Sequence, residues 1–227
     1  MQLQDALMTT RAMRRYTDDP VDDATIQRIL RAAVQAPSGG NIQPYQFLVV
    51  TDQELKNELG EIYLKAHRRY TPAVAKLLPP FKDEAAERRQ QVNWAASEAL
   101  AENIAQVPAM VLVLVPKITM EVEDERGKMD VGPVYASVYP AVQNLILAAR
   151  SEGLGTVLTS VFRIYEDEVR DVCGIPDRYE VVALLPLGVP TGKWGVAHRR
   201  PAESLTSWNR FGEKRDPIGS SDGDGRR

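Results

Sequence analysis

The segment VYASVYPAVQNLILAARSEG, residues 134–153, constrains the chain most, because it is apolar nearly all round apart from Gln143 and Asn144. A helix without a wet face must be packed on every side and so stands at the centre of its fold. Two arrangements satisfy it: full burial inside one copy of the chain, or burial of one face against a second copy. Pro140 either kinks this helix or begins its second part, since proline lacks an N–H and its ring crowds the preceding turn. The longest uninterrupted apolar run, AMVLVLV at 109–115, is far short of the roughly 18 residues that suggest a membrane span. It reads as a buried strand.

Around these two pieces the periodicity is clear. Ile26, Ile29, Leu30, Ala33 and Val34 mark one face of a helix that begins at Asp22 and Asp23, which suit its positive end, and stops at Pro37. YQFLVV at 45–50 is a strand. A second helix starts in DQELKNELGEIYLKAHRR with Leu55, Leu59, Ile62 and Ala66 on one side, and a third runs from about Asp83 to Ile104. A strand at 155–160, a short helix at 165–173 closed by Gly174 and Pro176, and a last strand at 179–188 follow. Between 63 and 95, Pro72, Pro79 and Pro80 interrupt helix. No internal repeat or linker divides the chain, which therefore reads as one α+β or α/β domain, with a polar, Gly-rich C-terminal tail expected to be disordered.

Composition narrows the partners. A net charge of −3 over 227 residues gives no global field for nucleic acid or an anionic membrane. The N-terminal MQLQDALMTTRAMRRY lacks the apolar stretch of a signal peptide, and the single Cys173 excludes an intramolecular disulfide. A cytoplasmic protein is the expectation. His67 and His198 lack metal-ligand spacing with any Cys, so no metal is expected. Cys173 reads as a small core residue. GLGT at 153–156 lacks a third glycine and precedes a strand, the reverse of the Rossmann order.

Two basic clusters remain, RAMRRY with Arg11, Arg14 and Arg15, and AHRRP with Arg199 and Arg200. Solvated surface arginines explain them if they stay apart. If they converge, their guanidinium forks make a bidentate phosphate site. The stretch APSGGNIQPYQF adds small residues, backbone N–H groups and the amides of Asn41 and Gln43, suited to a flat polar ring. One phosphate and one planar heterocycle together point to flavin mononucleotide, FMN.

Four segments in order carry a family resemblance. TRAMRRYTDDPV resembles an Arg-Arg-Ser-x-Arg-x-Phe opening, and APSGGNIQPYQF is similar to Ala-Pro-Ser-x-x-Asn-x-Gln-Pro-Trp-x-Phe. YPAVQNLILAARSEGLGTVLTS looks like a central helix with its following strand, and PLGVPTGKWGVAHRRP like a last strand and basic loop. All four resemble the nitroreductase family of FMN enzymes. That resemblance implies a three-layer α-β-α fold of the α+β class, with a mainly antiparallel central sheet and an intertwined homodimer. It implies one FMN-binding domain over 1–212, a tail from 213 to 227, and FMN sites at the subunit interface built from both chains.

The resemblance also assigns roles. Arg11 and Arg199 would contact the phosphate, with Arg200 as the alternative at the second point. Arg14 would reach the pyrimidine edge, where its charge favours the reduced, anionic ring. Pro37, Ser38, Gly39 and Asn41 would line the ribityl chain and ring, the glycines letting backbone approach, with Gln43 a nearby polar contact. Leu158, Thr159 and Ser160 would lie along the flavin face near N5. Ala12 stands where the family has Ser, so a contact there comes from backbone, and Thr10 replaces the first Arg. The implied activity is a two-step transfer of hydride from NADPH or NADH through flavin to an electron-poor acceptor such as a nitroaromatic or quinone. Non-catalytic FMN storage or redox sensing, reductive dehalogenation and flavin breakdown remain the alternatives. Part of 63–95, with Tyr70 and Phe81, either caps the flavin or forms ordinary surface helices.

Overall fold

The computed structural model describes residues 1–118, 121–130 and 132–215; residues 216–227 of the expected tail lie outside them. A short helix, α1 (Leu3–Thr9), buries only Ala6. An extended strap, residues 10–17, leads to α2 (Asp23–Ala33), whose N-terminus is capped by the Asp22 carboxylate accepting from the Thr25 N–H at 2.8 Å. There follow β1 (Gln46–Val50), α3 (Gln53–Ala75) and α4 (Glu84–Asn103), the two helices capped in the same way by Asp52 and Asp83. Then come β2 (Ala109–Pro116), a hairpin of β3 (Glu121–Asp124) and β4 (Gly127–Asp130), α5 (Tyr139–Ser151), β5 (Gly155–Thr156), α6 (Glu166–Cys173) and β6 (Tyr179–Gly188).

The main sheet has the order β1-β2-β6-β5 with every neighbouring pair antiparallel. Side chains of β2 alternate between two cores. Ala109, Val111, Val113 and Val115 pack with Ile26, Ile29 and Ala33 of α2 and Val142 and Leu145 of α5. Met110, Leu112 and Leu114 pack with Leu59 and Ile62 of α3, Leu100 of α4 and Val169 of α6. Helices therefore cover both faces of the sheet, which is why β2 is apolar without interruption rather than alternating. This is the expected three-layer α+β architecture.

On β6, Val113 pairs with Ala183 but Leu114 with Val181, so Val182 is an extra, bulged residue. The bulge puts Val182 and Ala183, adjacent in sequence, into the same core. The Glu166 carboxylate accepts from the Val181 N–H beside it at 2.9 Å.

Several elements differ from expectation. Residues 134–137 form a 3-10 turn, and α5 begins at Tyr139 with Pro140 in its first turn, so the proline starts the helix rather than kinking it. Ala141, Val142, Leu145 and Ala149 are buried, but Ile146 and Leu147 are only half-buried and Gln143 is exposed, so one copy does not cover α5 completely. Pro72 does not interrupt α3, which continues to Ala75; the ring costs only a bond to the carbonyl of Arg68, an exposed residue near the helix end. The break comes afterwards, around Pro79 and Pro80. The strand expected at 155–160 is ladder-paired only at Gly155–Thr156, with one further bridge from Thr159 to Leu184.

A second compact unit begins at Val196. Within it α7 (Ala202–Leu205) is followed by a turn in which the Lys214 ammonium donates to the Thr206 carbonyl at 2.7 Å, and Arg215 lies 4.2 Å from the centre of the Trp208 ring. Among the described residues, no helix is long and apolar enough to cross a membrane.

Candidate functional site

The strap is fastened across the end of the sheet by backbone bonds. Met13 N–H donates to the Thr156 carbonyl at 3.0 Å, Thr17 N–H to Val189 at 2.9 Å, and Thr191 N–H to Arg15 at 3.1 Å. Met13 is buried against β5, while Arg11 and Ala12 before it are exposed and Arg14 after it is half-buried. Arg14 and Arg15 line a cavity of about 490 Å³ together with Tyr16, Asn103, Gln106 and Thr191. Among the described residues, Arg11, Arg14 and Arg15 form no ion pair. Asp18, also on the cavity wall, offsets one of the two arginine charges there.

A half-buried guanidinium without an ionic partner forgoes solvation and gains little in exchange, unless an electron-rich group meets it. Its field reaches two phenols. Burial raises the Tyr16 and Tyr63 pKa values, and Arg14 opposes the rise in both. Next to the strap, Val157 and Thr159 point inward, whereas Leu158 is 37% exposed and Ser160 is exposed. The Thr159 backbone exchanges two hydrogen bonds with Leu184, at 3.0 and 2.9 Å, and its hydroxyl lies 2.8 Å from that of Tyr63. Arg11–Arg14 and Leu158–Ser160 are thus brought to one corner of the sheet.

Pro37 to Gln43 form a separate cluster on the connection into β1. Gly40, Asn41 and Gln43 all have positive φ, at 55°, 55° and 45°, a region in which a non-glycine residue is uncommon and costly. The Ser38 hydroxyl accepts from the Gln43 N–H at 3.1 Å, and the Gln43 amide donates to the Asn41 side-chain oxygen at 3.1 Å. The Gly39 N–H donates to the Ser137 hydroxyl at 3.0 Å and the Asn41 N–H to the Ser38 carbonyl at 3.0 Å. Gly40 is therefore needed by the turn itself. With those two N–H groups engaged, the loop presents the exposed carboxamides of Asn41 and Gln43.

The two clusters lie at opposite corners. From Val181, in register with the start of β1, to Leu187, paired with Thr156 of β5, is about 20 Å along β6; three strand spacings add about 14 Å across, a diagonal of about 25 Å. Helix α5 gives a second ruler, running from the Ser137 end to the β5 end over 13 residues, about 20 Å. No single ring system touches both clusters within one chain.

Arg199 and Arg200 are exposed in the second unit, where Arg199 donates to the His198 carbonyl at 3.0 Å. Burial pushes the half-buried Cys173 thiol up to about 11, so it is no ready nucleophile. His67 is buried between α3 and α4, with its Nε2 3.1 Å from the Ser97 hydroxyl. Sequence reasoning missed Asn103 and Gln106 on the cavity wall and the Tyr63–Thr159 bond. Tyr63 alone had a local sign, an aromatic residue on the apolar face of α3.

Helices on both faces of an antiparallel sheet, with a basic strap across its end, define the class of fold. The chain belongs to the nitroreductase family, whose model matches residues 7–189. It is 30% identical over 206 residues to an NADH dehydrogenase of Thermus thermophilus, covering 89% of this chain and 94% of that one. It is 26% identical over 209 residues to an NADPH-flavin oxidoreductase of Vibrio harveyi, covering 92% and 74%. Among solved structures, the FMN and NADPH-dependent nitroreductase NfnB from sphigopyxis sp. strain HMH superposes with a TM-score of 0.67 at 24% identity, covering 93% of this chain and all of that one.

Proposed function

We propose that this protein is an FMN-dependent oxidoreductase that acts as a cytoplasmic homodimer. The observation that carries the reading is Arg14, half-buried and, among the described residues, without an ionic partner, on the wall of a cavity that Asn103 and Gln106 also line. The guanidinium donors of Arg14 match the carbonyls of a uracil-like ring edge. Bound FMN would supply the chemistry, accepting a hydride from NADH or NADPH and passing it to an electron-poor acceptor such as a nitroaromatic or quinone.

The chain's own residues bind and orient. Arg14 favours a ring edge that gains negative charge. Arg11 supplies a phosphate contact, and the exposed Arg199, with Arg200 as the alternative, is a second guanidinium available to a phosphate. Leu158 lays an aliphatic surface along the ring, and Ala12 offers backbone alone. Pro37, Ser38, Gly39, Asn41 and Gln43 come from the second copy, because one chain holds them about 25 Å from the strap. The half-open face of α5 and the exposed Leu3, Leu7 and Met8 of α1 supply apolar surface for that copy to cover.

Steady-state kinetics test the reading. Varying NADPH or NADH against a quinone should give parallel double-reciprocal lines, the pattern of two half-reactions at one site. Retained FMN with no consumption of either nucleotide would instead support a storage or sensing role.

A further inference from the structure

We propose that Tyr63 is a positioning residue for this site: by holding the Thr159 hydroxyl inward, it keeps Leu158 and Ser160 outward along the ring. The inference rests on the FMN reading of the 158–160 strip. An aliphatic side chain such as Leu158 gains by burial, yet it stands 37% exposed between Val157 and Thr159, which are 7% and 9% exposed. A one-residue slip that begins after Val157, through a bulge like the one at Val182, would leave Val157 buried while turning Leu158 into the core and the Thr159 hydroxyl out to water.

Little ladder resists such a slip. β5 ends at Thr156, and only the single bridge to Leu184 follows. The Tyr63–Thr159 bond, 2.8 Å long and buried, is the third inward tie on Thr159 after its two backbone bonds. Tyr63 is well placed to anchor it, being 3% exposed in the core formed by α3, β2 and β6. Its raised pKa keeps the phenol neutral, so the bond persists across the working pH range. Removing the Tyr63 hydroxyl leaves the buried Thr159 oxygen unpaired and tips the balance toward the slipped strip.

The test is FMN affinity of the apoprotein, with visible circular dichroism of the bound flavin as a second readout. Tyr63→Phe and Thr159→Val should each weaken FMN binding about tenfold and alter the flavin dichroism, and the double variant should be no weaker than either single one. Thr159→Ser, which restores the hydroxyl that Thr159→Val lacks, should recover most of the affinity lost in Thr159→Val. Parent affinity and dichroism in either Tyr63→Phe or Thr159→Val would overturn the inference, as would losses that multiply in the double variant. If Tyr63→Phe fails to fold, the near-isosteric Thr159→Val decides alone. Parent protein that holds no FMN would remove the functional reading itself, whereas FMN-replete parent with indifferent variants removes only the role of Tyr63.

Discussion

Gly155 offers the most direct test of how the strap is held. A Cβ added there would come within 2.8 Å of both the Met13 Cβ and the Pro190 Cβ, atoms next to backbone that cannot swing aside. Gly155→Ala must therefore push the strap off β5 by several tenths of an ångström and strain the Met13–Thr156 bond. Overpacking of this kind costs about 1–3 kcal/mol. For a unit of this size each kcal/mol lowers Tm by roughly 2–4 °C, so the melting temperature should fall by roughly 2–12 °C. Because Arg14 follows Met13, FMN affinity should fall with it. Gly195→Ala is the control: nothing lies within 4 Å of its added Cβ and its φ is not positive, so it should stay within about 0.5 kcal/mol of the parent. Differential scanning calorimetry and FMN titration on both variants give the answer. Gly155→Ala with parent Tm and parent affinity would refute the idea that the strap is sealed against β5.

Leu112→Ala, at a fully buried β2 position, should cost about 2–5 kcal/mol in urea unfolding; a loss below about 1 kcal/mol would mean that the core collapses around the gap. Burial lowers the His67 pKa below its ordinary 6.5, with Glu98 and Glu102 opposing the shift. Its contribution to stability is therefore complete above pH 6.5 and lost as pH falls through the depressed value, so His67→Gln should flatten the acid limb of Tm against pH. An unchanged limb would assign the acid sensitivity to other groups. Arg199→Ala should release FMN measurably on gel filtration, and full retention would mean that the phosphate partner is misassigned.

The helices with strong periodicity and the strands of the main sheet were legible because both sheet faces are covered and their apolar patterns are long. Helix α1 escaped notice, since its seven residues bury one side chain. The β3–β4 hairpin is almost wholly exposed, so no core imposes the alternation by which strands are read. The length of β5 and the bulge at Val182 are set by pairing with distant residues, which local pattern does not carry. Within the site, arginines and a glycine-rich amide loop announce themselves by residue type. Asn103 and Gln106 do not, because each sits in an ordinary helical stretch, or the turn that ends one, and acquires meaning only when the sheet order brings α4 beside the strap; Tyr63 shows as a core aromatic, but its bond to Thr159 does not. The clusters at opposite corners were legible separately, but their distance apart emerged only from the topology.

The most direct measurement is the visible absorbance spectrum of the purified protein supplied with FMN, recorded anaerobically before and after NADPH or NADH. A retained flavin spectrum that bleaches with one of the nucleotides is the predicted result. Protein that retains no FMN would contradict the assignment of Arg14 and its cavity, and bound FMN that both nucleotides leave oxidised would contradict the oxidoreductase reading.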